Sequence, residues 1–291
     1  MARQNARLRW RGLRAVLGVL IVAVALVLCW QIIFRIFGML FPEPAVAHHG
    51  TIEDSRWVRA AVIRREILLY PSGPGVFQRR LASGERAARG EVIGLSKAPG
   101  HAVQKVAASL AGLIAYTSDG MEYLSPETAL SDPQSALELS RRSRMRGIGQ
   151  GRITYGQPVA RLVFDTEQYL LLEVPPAARP REESLVWVEE SGKLIPAVVA
   201  KAVAAPENIL VLRTDRFPRT WLDRRVFSLR LVLGRYTGTV LPLSLLRWQD
   251  GRCGVWTLVR SRKEFVSVDI LGKSDRLVAV AGIDEGTVLL R

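Results

Sequence analysis

Twenty consecutive uncharged, mostly aliphatic residues, Ala15 to Phe34, stand directly behind five arginines, Arg3, Arg7, Arg9, Arg11 and Arg14. A helix rising about 1.5 Å per residue crosses a hydrocarbon core about 30 Å thick with roughly 20 residues, so this run is long enough to span a bilayer. The acid-free basic flank is of the kind retained on the cytoplasmic side, which predicts an outward-facing remainder from about Pro42. Arg35 is placed to snorkel toward headgroups, and Trp30, Phe34 and Phe37 suit the interfacial belt. The tripeptide Ala45-Val46-Ala47 looks like a signal-peptide cleavage site. The apolar run, however, exceeds the roughly 7 to 15 residues of a signal core and ends well before that tripeptide, so an uncleaved anchor is expected. Cys29 falls within the anchor and Cys253 far outside it, so the two are not expected to pair, and folding must rest on packed cores.

Charge narrows the class of partner. The chain has 41 Lys and Arg against 27 Asp and Glu, a net +14, and setting aside the five N-terminal arginines leaves +9 for the remainder. Outside a membrane such a surface meets anionic headgroups, acidic wall polymers or an acidic protein face. Nucleic acid is not expected, because the arginines are scattered through strand-like segments without a recognition helix.

From Gly50 onward, short Val-, Ile- and Leu-rich runs alternate with Gly, Pro and Asp turns, the pattern of a mainly β protein. Strands are expected at Arg59–Ile63, Ile67–Tyr70, Val92–Leu95, Leu113–Tyr116, Val159–Phe164, Tyr169–Val174, Leu185–Val188, Ile195–Val199, Ile209–Leu212, Val226–Leu233, Val255–Val259, Phe265–Ile270 and Val278–Val280. One helix is expected over Pro133–Arg146, capped by Asp132 and stopped by Gly147. The chain also repeats itself. Ser72–Phe77 lies on Ser109–Ile114 at an offset of 37, and Gly90–Ile93 on Gly156–Val159 at an offset of 66. The second copy therefore carries 29 extra residues (66 minus 37), which include the expected helix. Two half-motifs of this kind, neither able to bury a face alone, are expected to interlock into one small sandwich.

These residues carry a resemblance. Ser72–Leu95 and Ser109–Leu162 resemble the two halves of a biotinyl/lipoyl-like barrel-sandwich domain, and that split domain behind one N-terminal anchor resembles the HlyD-like membrane fusion proteins, the adaptor subunits of efflux and secretion systems. Gly238–Leu246 and Gly254–Val259 resemble segments of the family's membrane-proximal domain, and Gly282-Ile283-Asp284-Glu285-Gly286-Thr287-Val288 resembles its closing "G-L-x-x-G-D-x-V" pattern. The resemblance implies a mainly β fold: one transmembrane helix, the split barrel-sandwich, a β-barrel and a membrane-proximal β domain. It divides the chain into a basic cytoplasmic tail (1–14), a transmembrane helix (15–41), joining strands (50–70), a sandwich (71–162) with a helical insertion at about 121–147, a β-barrel (163–233) and a membrane-proximal domain (234–291). The sequence departs from the family in one respect: only Ser96–Lys105 joins the sandwich halves, too short to form the long helical hairpin usual in Gram-negative adaptors.

The implied role is that of a membrane-anchored extracytoplasmic adaptor that contacts a transporter or envelope complex, with self-association as in the family. The alternative is an envelope scaffold linked to wall or division machinery. The candidate partner-binding residues are Arg141, Arg142, Arg144 and Arg146, four cations within six positions. No catalytic, cofactor or metal site is expected. Lys97 sits at the sandwich turn but lacks the context of a modified lysine. His48, His49 and His101 are too few for a metal centre, and only His101 could serve as a base. Gly147–Gly151 lacks the lysine of a phosphate loop. The pairs Glu182-Glu183 and Glu189-Glu190 read as solvated.

Overall fold

The computed structural model describes residues 26–33, 45–204, 208–259 and 262–290. Among these, no helix is long and apolar enough to cross a membrane. The expected span, Ala15–Phe34, lies outside the described residues except for a helical stretch at 26–33, and the basic tail lies outside them altogether. The described chain is mainly β, as its punctuation predicts, and it separates into two units. One comprises Gly238–Leu271, Arg276–Arg291 and the segment up to Gly50; the other comprises Thr51–Thr237 and Gly272–Asp275.

In the smaller unit the segment ahead of the barrel meets the last strand described. Strand β1 (Ala45–Val46) pairs with the last strand, β23 (Val288–Leu290), through Ala45 and Leu289. Beside them lie β18 (Arg247–Gln249), β19 (Arg252–Val259) and β20 (Arg262–Ser267). Ala47, Leu241, Cys253, Val255, Val278 and Leu289 form the core. The run expected as one strand, Phe265–Ile270, is two: β20 and β21 (Asp269–Lys273). The chain breaks at Val268, which is buried and donates its backbone N–H to the Cys253 carbonyl.

The larger unit begins with a closed barrel. Its strands are β2 (His48–Ile63), β13 (Gln168–Glu173), β14 (Leu185–Glu190), β15 (Lys193–Val203), β16 (Ile209–Thr214) and β17 (Val226–Pro242). They run in the order β14-β15-β16-β13-β2-β17, and β17 returns to β14 through Trp187 opposite Val232. Val62, Leu170, Leu172, Val188, Leu210, Leu212, Trp221 and Leu231 fill the interior. Ala60–Ile63, Leu170–Leu172 and Ile209–Leu212 are unbroken apolar runs rather than alternating ones, which requires cover on both faces. The helical insertion supplies it. Leu124, Ala129, Ala136 and Leu137 pack on Ala61, Ile63, Leu171 and Val211.

That insertion holds two helices, Pro126–Ser131 and Pro133–Arg141. The Asp132 cap is present, its carboxylate accepting the Ser135 N–H at 3.1 Å. The second helix stops at Arg141, short of the expected Gly147. Ser143 donates its hydroxyl to Asp119 at 2.5 Å, and Arg146–Gly147 (β10) pairs with Thr117–Ser118 (β9), so tertiary partners pull the chain out of helical register.

The repeat governs the rest. The first copy contains β3 (Glu66–Leu69), β4 (Gly75–Arg79), β5 (Arg86–Ala87) and β6 (Val92–Lys97); the second contains β7 (Gln104–Ala107), β8 (Gly112–Ala115), β11 (Arg152–Ile153) and β12 (Ala160–Val163). They make two sheets, β11-β4-β6-β7 and β3-β12-β8-β5, so each copy lends its first and third strands to the sheet built on the other copy's second and fourth. The registers repeat with the sequence offsets. Val76 opposes Lys97 and Arg152, and Leu113, which is 37 positions on, opposes Val163 and Arg86, which lie 66 positions after Lys97 and 66 before Arg152. The turns match too: Ala88 donates its N–H to Glu91 at 2.8 Å, and Thr154 donates to Gln157 at 2.9 Å. Phe77, Ile93, Val106, Ile114, Ile153 and Leu162 close the core between the sheets. No helix joins β6 to β7; they form a hairpin around residues 98–103.

Gly75 and Gly112 stand where the copies cross, and an added Cβ would lie 2.6 Å from the Lys97 carbonyl oxygen in one case and 2.7 Å from that of Val163 in the other. Backbone cannot yield as a flexible side chain does, so Gly75→Ala and Gly112→Ala are each expected to lose about 1–3 kcal/mol by overpacking. Urea unfolding of each variant checks this, with Gly147→Ala as the comparison, since its added Cβ would meet only the flexible Gln150 side chain, at 3.2 Å.

Candidate functional site

Where the barrel chain passes into the sandwich, five charged side chains are buried together. Only Arg64 and Arg65 separate β2 from β3, and Glu66 opens β3. Arg161 comes from β12 and Arg225 from the residue before β17. Arg64, Glu66, Arg161 and Arg225 are among the most enclosed side chains of the protein. The Glu66 carboxylate accepts from Arg64 Nε at 2.5 Å, Arg161 Nη1 at 3.0 Å and Arg225 Nη2 at 2.6 Å. Other donors find carbonyls: Arg64 reaches Trp221 at 2.6 Å and Leu222 at 3.0 Å, and Arg161 reaches Leu222 at 2.7 Å, while Arg161 Nε is buried without a partner. Arg225 also clasps Asp119 of the insertion at 2.5 and 3.0 Å. Around this hub Leu113, Ala115 and Val163 of the sandwich pack against Phe217 and Leu222 of the barrel chain.

Electrostatics follow from the geometry. Burial opposes ionisation of Glu66, yet three guanidiniums outweigh it and hold its carboxyl below the usual range. Burial likewise opposes the Asp119 carboxylate, but the bonds from Arg225 and Ser143 bring it down to about 2. Arg64 is lowered to about 10, first by loss of water and then by Arg161 and Arg225, with Glu66 opposing. It remains charged at neutral pH. Arg225 is raised because Asp119 and Glu66 together overcome its burial.

Glu66, Asp119 and Glu122 bring carboxylate oxygens within 4.8 Å of one another, the one such group of potential metal ligands among the described residues. Its chemistry does not fit a cation. The Glu66 and Asp119 oxygens are engaged by arginines, and Glu122 accepts from Ser118 at 2.6 Å. The hub is a structural clamp.

The arginines singled out in the sequence divide. Arg141, in the last helical turn, is held by Glu173 at 2.9 Å and so serves the insertion's own attachment to the barrel. Arg142, Arg144 and Arg146 are exposed and meet no carboxylate among the described residues. They form a strip of free positive charge beyond a helix C-terminus. Lys97 and His101 lie exposed on the β6–β7 hairpin and its loop, and the His101 ring contacts no acid or hydroxyl among the described residues. Glu189 and Glu190 are not simply solvated: Glu189 pairs with Arg230 at 2.6 Å, and Glu190 accepts from Thr220 at 2.7 Å. Glu190 borders a groove of about 570 Å³ with Ile195, Phe217 and Pro218.

Sequence reading missed the hub. Its only trace was Arg161 inside the apolar run Val159–Phe164 and Arg64 directly behind Ile63.

No family model matches this chain, and no curated protein matches it. Among solved structures it is similar to ZneB from Cupriavidus metallidurans, at 11% identity over 84% of this chain and 91% of that one, with a TM-score of 0.31. It is also similar to MacA from Actinobacillus actinomycetemcomitans, at 9% identity over 84% and 98%, with a TM-score of 0.38. A MacA–MexA chimera containing the Pseudomonas aeruginosa MexA α-hairpin domain matches at 10% identity over 84% and 98%, with a TM-score of 0.34. Overlap at this level is too low for an activity to be carried over from any of them.

Removing one member of a buried ion cluster leaves the others uncompensated, at a cost of about 3–5 kcal/mol. Glu66→Gln is expected to destabilise the protein by about that amount in urea unfolding, whereas exposed Glu182→Gln should change it by less than about 0.5 kcal/mol. Because the folded-state values of Glu66 and Asp119 are depressed, their contribution is complete above the unfolded values of about 4.3 and 3.9 and is lost as pH falls toward the folded ones. The melting temperature should fall between about pH 4 and 2, and less steeply in Asp119→Asn.

Proposed function

We propose that this chain is a membrane-anchored, extracytoplasmic adaptor of the membrane fusion type, working by contact with a transporter in efflux or secretion rather than by catalysis. The observation that carries the reading is the interlocked pair of half-motifs, continuous in sequence with a closed barrel and locked to it by the Glu66 hub. It is the architecture implied by the resemblance to the split barrel-sandwich and β-barrel domains. Rigidity suits such a role, since a part that transmits a partner's position must not swivel at its joints. The hydrophobic run Ala15–Phe34 and its arginine flank support a single-pass placement in the cytoplasmic membrane, N-terminus inside and body outside. The six-residue loop 98–103 in place of a helical hairpin favours short-range docking over a reach across a wide compartment. No observation favours the envelope-scaffold alternative.

Arg142, Arg144 and Arg146 are the contact residues of this proposal, free to pair with acids on a partner. Crosslinking in native membranes followed by purification is expected to recover a polytopic transporter, with recovery reduced about tenfold when all three arginines are replaced by Glu. Recovery of wall or division proteins without any transporter would overturn the reading. Labelling of a C-terminal cysteine tag from outside intact cells tests the orientation.

A further inference from the structure

The two sandwich sheets are related residue by residue, yet among the described residues only one of them has a covered outer face. In the sheet β3-β12-β8-β5, one outward row runs Arg86, Leu113, Val163, Glu66 across the four strands. Beyond Arg86, which is exposed, that row is sealed: Leu113 is 7% and Val163 0% exposed, Phe217 and Leu222 lie on them, and Arg225 bonds Glu66. The corresponding row of the other sheet runs Arg152, Val76, Lys97, and the β6–β7 register carries it on to Val103. It is open. Val76 is 49% and Val103 53% exposed, and Gln78 and Lys105 flank them on the same face.

We infer that this outer face of β11-β4-β6-β7 is a docking surface for an acidic segment of another protein. The covered face shows what such a row accepts in this fold: apolar side chains seated over its centre and a charge opposite in sign to its own. There the row bears an acid, Glu66, and its cover brings arginine. The open face bears Lys97, Lys105 and Arg152, and residues 70–78, 95–107 and 150–158 around it contain no Asp or Glu. Exposed Tyr70 and Tyr155 stand at its margin, and tyrosine with arginine over an apolar centre is the composition of protein interfaces. A second copy meeting this face with its own is disfavoured, because an isologous contact would set these cations against one another.

The test uses the full chain in native membranes, with p-benzoylphenylalanine replacing Val76 or Val103, and replacing exposed Trp57 of the barrel as a control. Irradiation is expected to give a protein adduct from positions 76 and 103 but not 57, with the attached peptide rich in Asp and Glu. Adduct yield should fall about tenfold in Lys97→Glu/Lys105→Glu/Arg152→Glu and survive Lys97→Arg/Lys105→Arg, with the melting temperature unchanged in both. The inference is overturned by no adduct above the control, by an adduct with a second copy, a lipid or a glycan, or by a yield indifferent to charge reversal. An acidic partner other than a transporter would leave this surface standing while removing the transporter reading. A transporter captured only through Arg142, Arg144 and Arg146 would do the reverse.

Discussion

One carboxylate, Glu66, holds three guanidiniums from three places in the chain, and the larger unit depends on that arrangement. Barrel and sandwich are joined by two short links, Arg64–Arg65 and Phe164–Glu167, which limit their separation more tightly than their angle. Apolar contacts such as Leu113 and Val163 on Leu222 attract without fixing direction, since dispersion and burial are nearly indifferent to rotation. Planar guanidinium forks are not indifferent. Each donates along set directions, and Arg64, Arg161 and Arg225 together fix Glu66, the Trp221–Leu222 carbonyls and Asp119 at distances of 2.5 to 3.0 Å. An apolar replacement of similar volume would hold the parts together and lose the angle.

The sandwich itself is a duplicated object with unequal surroundings. Its backbone follows a twofold correspondence closely enough that pairings recur at offsets of 37 and 66 residues, including the exchange of β5 and β11 between sheets. Mutual exchange makes neither copy stable alone, because half the strands of each sheet come from the other copy. The side chains break the symmetry where it matters: the same row is Leu, Val and Glu on one face and Val, Lys and Val on the other. One face became the joint with the barrel, and the other remained a basic surface with an apolar centre.

The helical insertion shows how a local signal is overruled. Asp132 and Pro133 start the second helix as their chemistry dictates, and Gly147 is a sound stop in isolation. Ser143 and Arg146 find partners in Asp119 and Ser118 first, so the helix ends at Arg141. What made the insertion necessary was already visible as runs such as Leu170-Leu171-Leu172, too continuous for strands with one wet face.

By itself, the sequence determined the mainly β character, the longer strands and the two offsets of the interlocked repeat, while the short strands β4, β5, β7 and β11 that complete the sandwich sheets went unread. Those properties rest on neighbours in the chain: alternation of apolar side chains, turn chemistry, and glycines where backbone must approach backbone. It could not determine which of its many arginines are buried, because a guanidinium in an apolar run looks alike whether a carboxylate waits beside it or water does. That was decided by barrel closure through β14 and β17, which places Arg225, 159 positions away in sequence, against Glu66. Charge partnership acts through space across long stretches of chain, so only the tertiary structure separates the arginines that clamp the fold from those left free to bind.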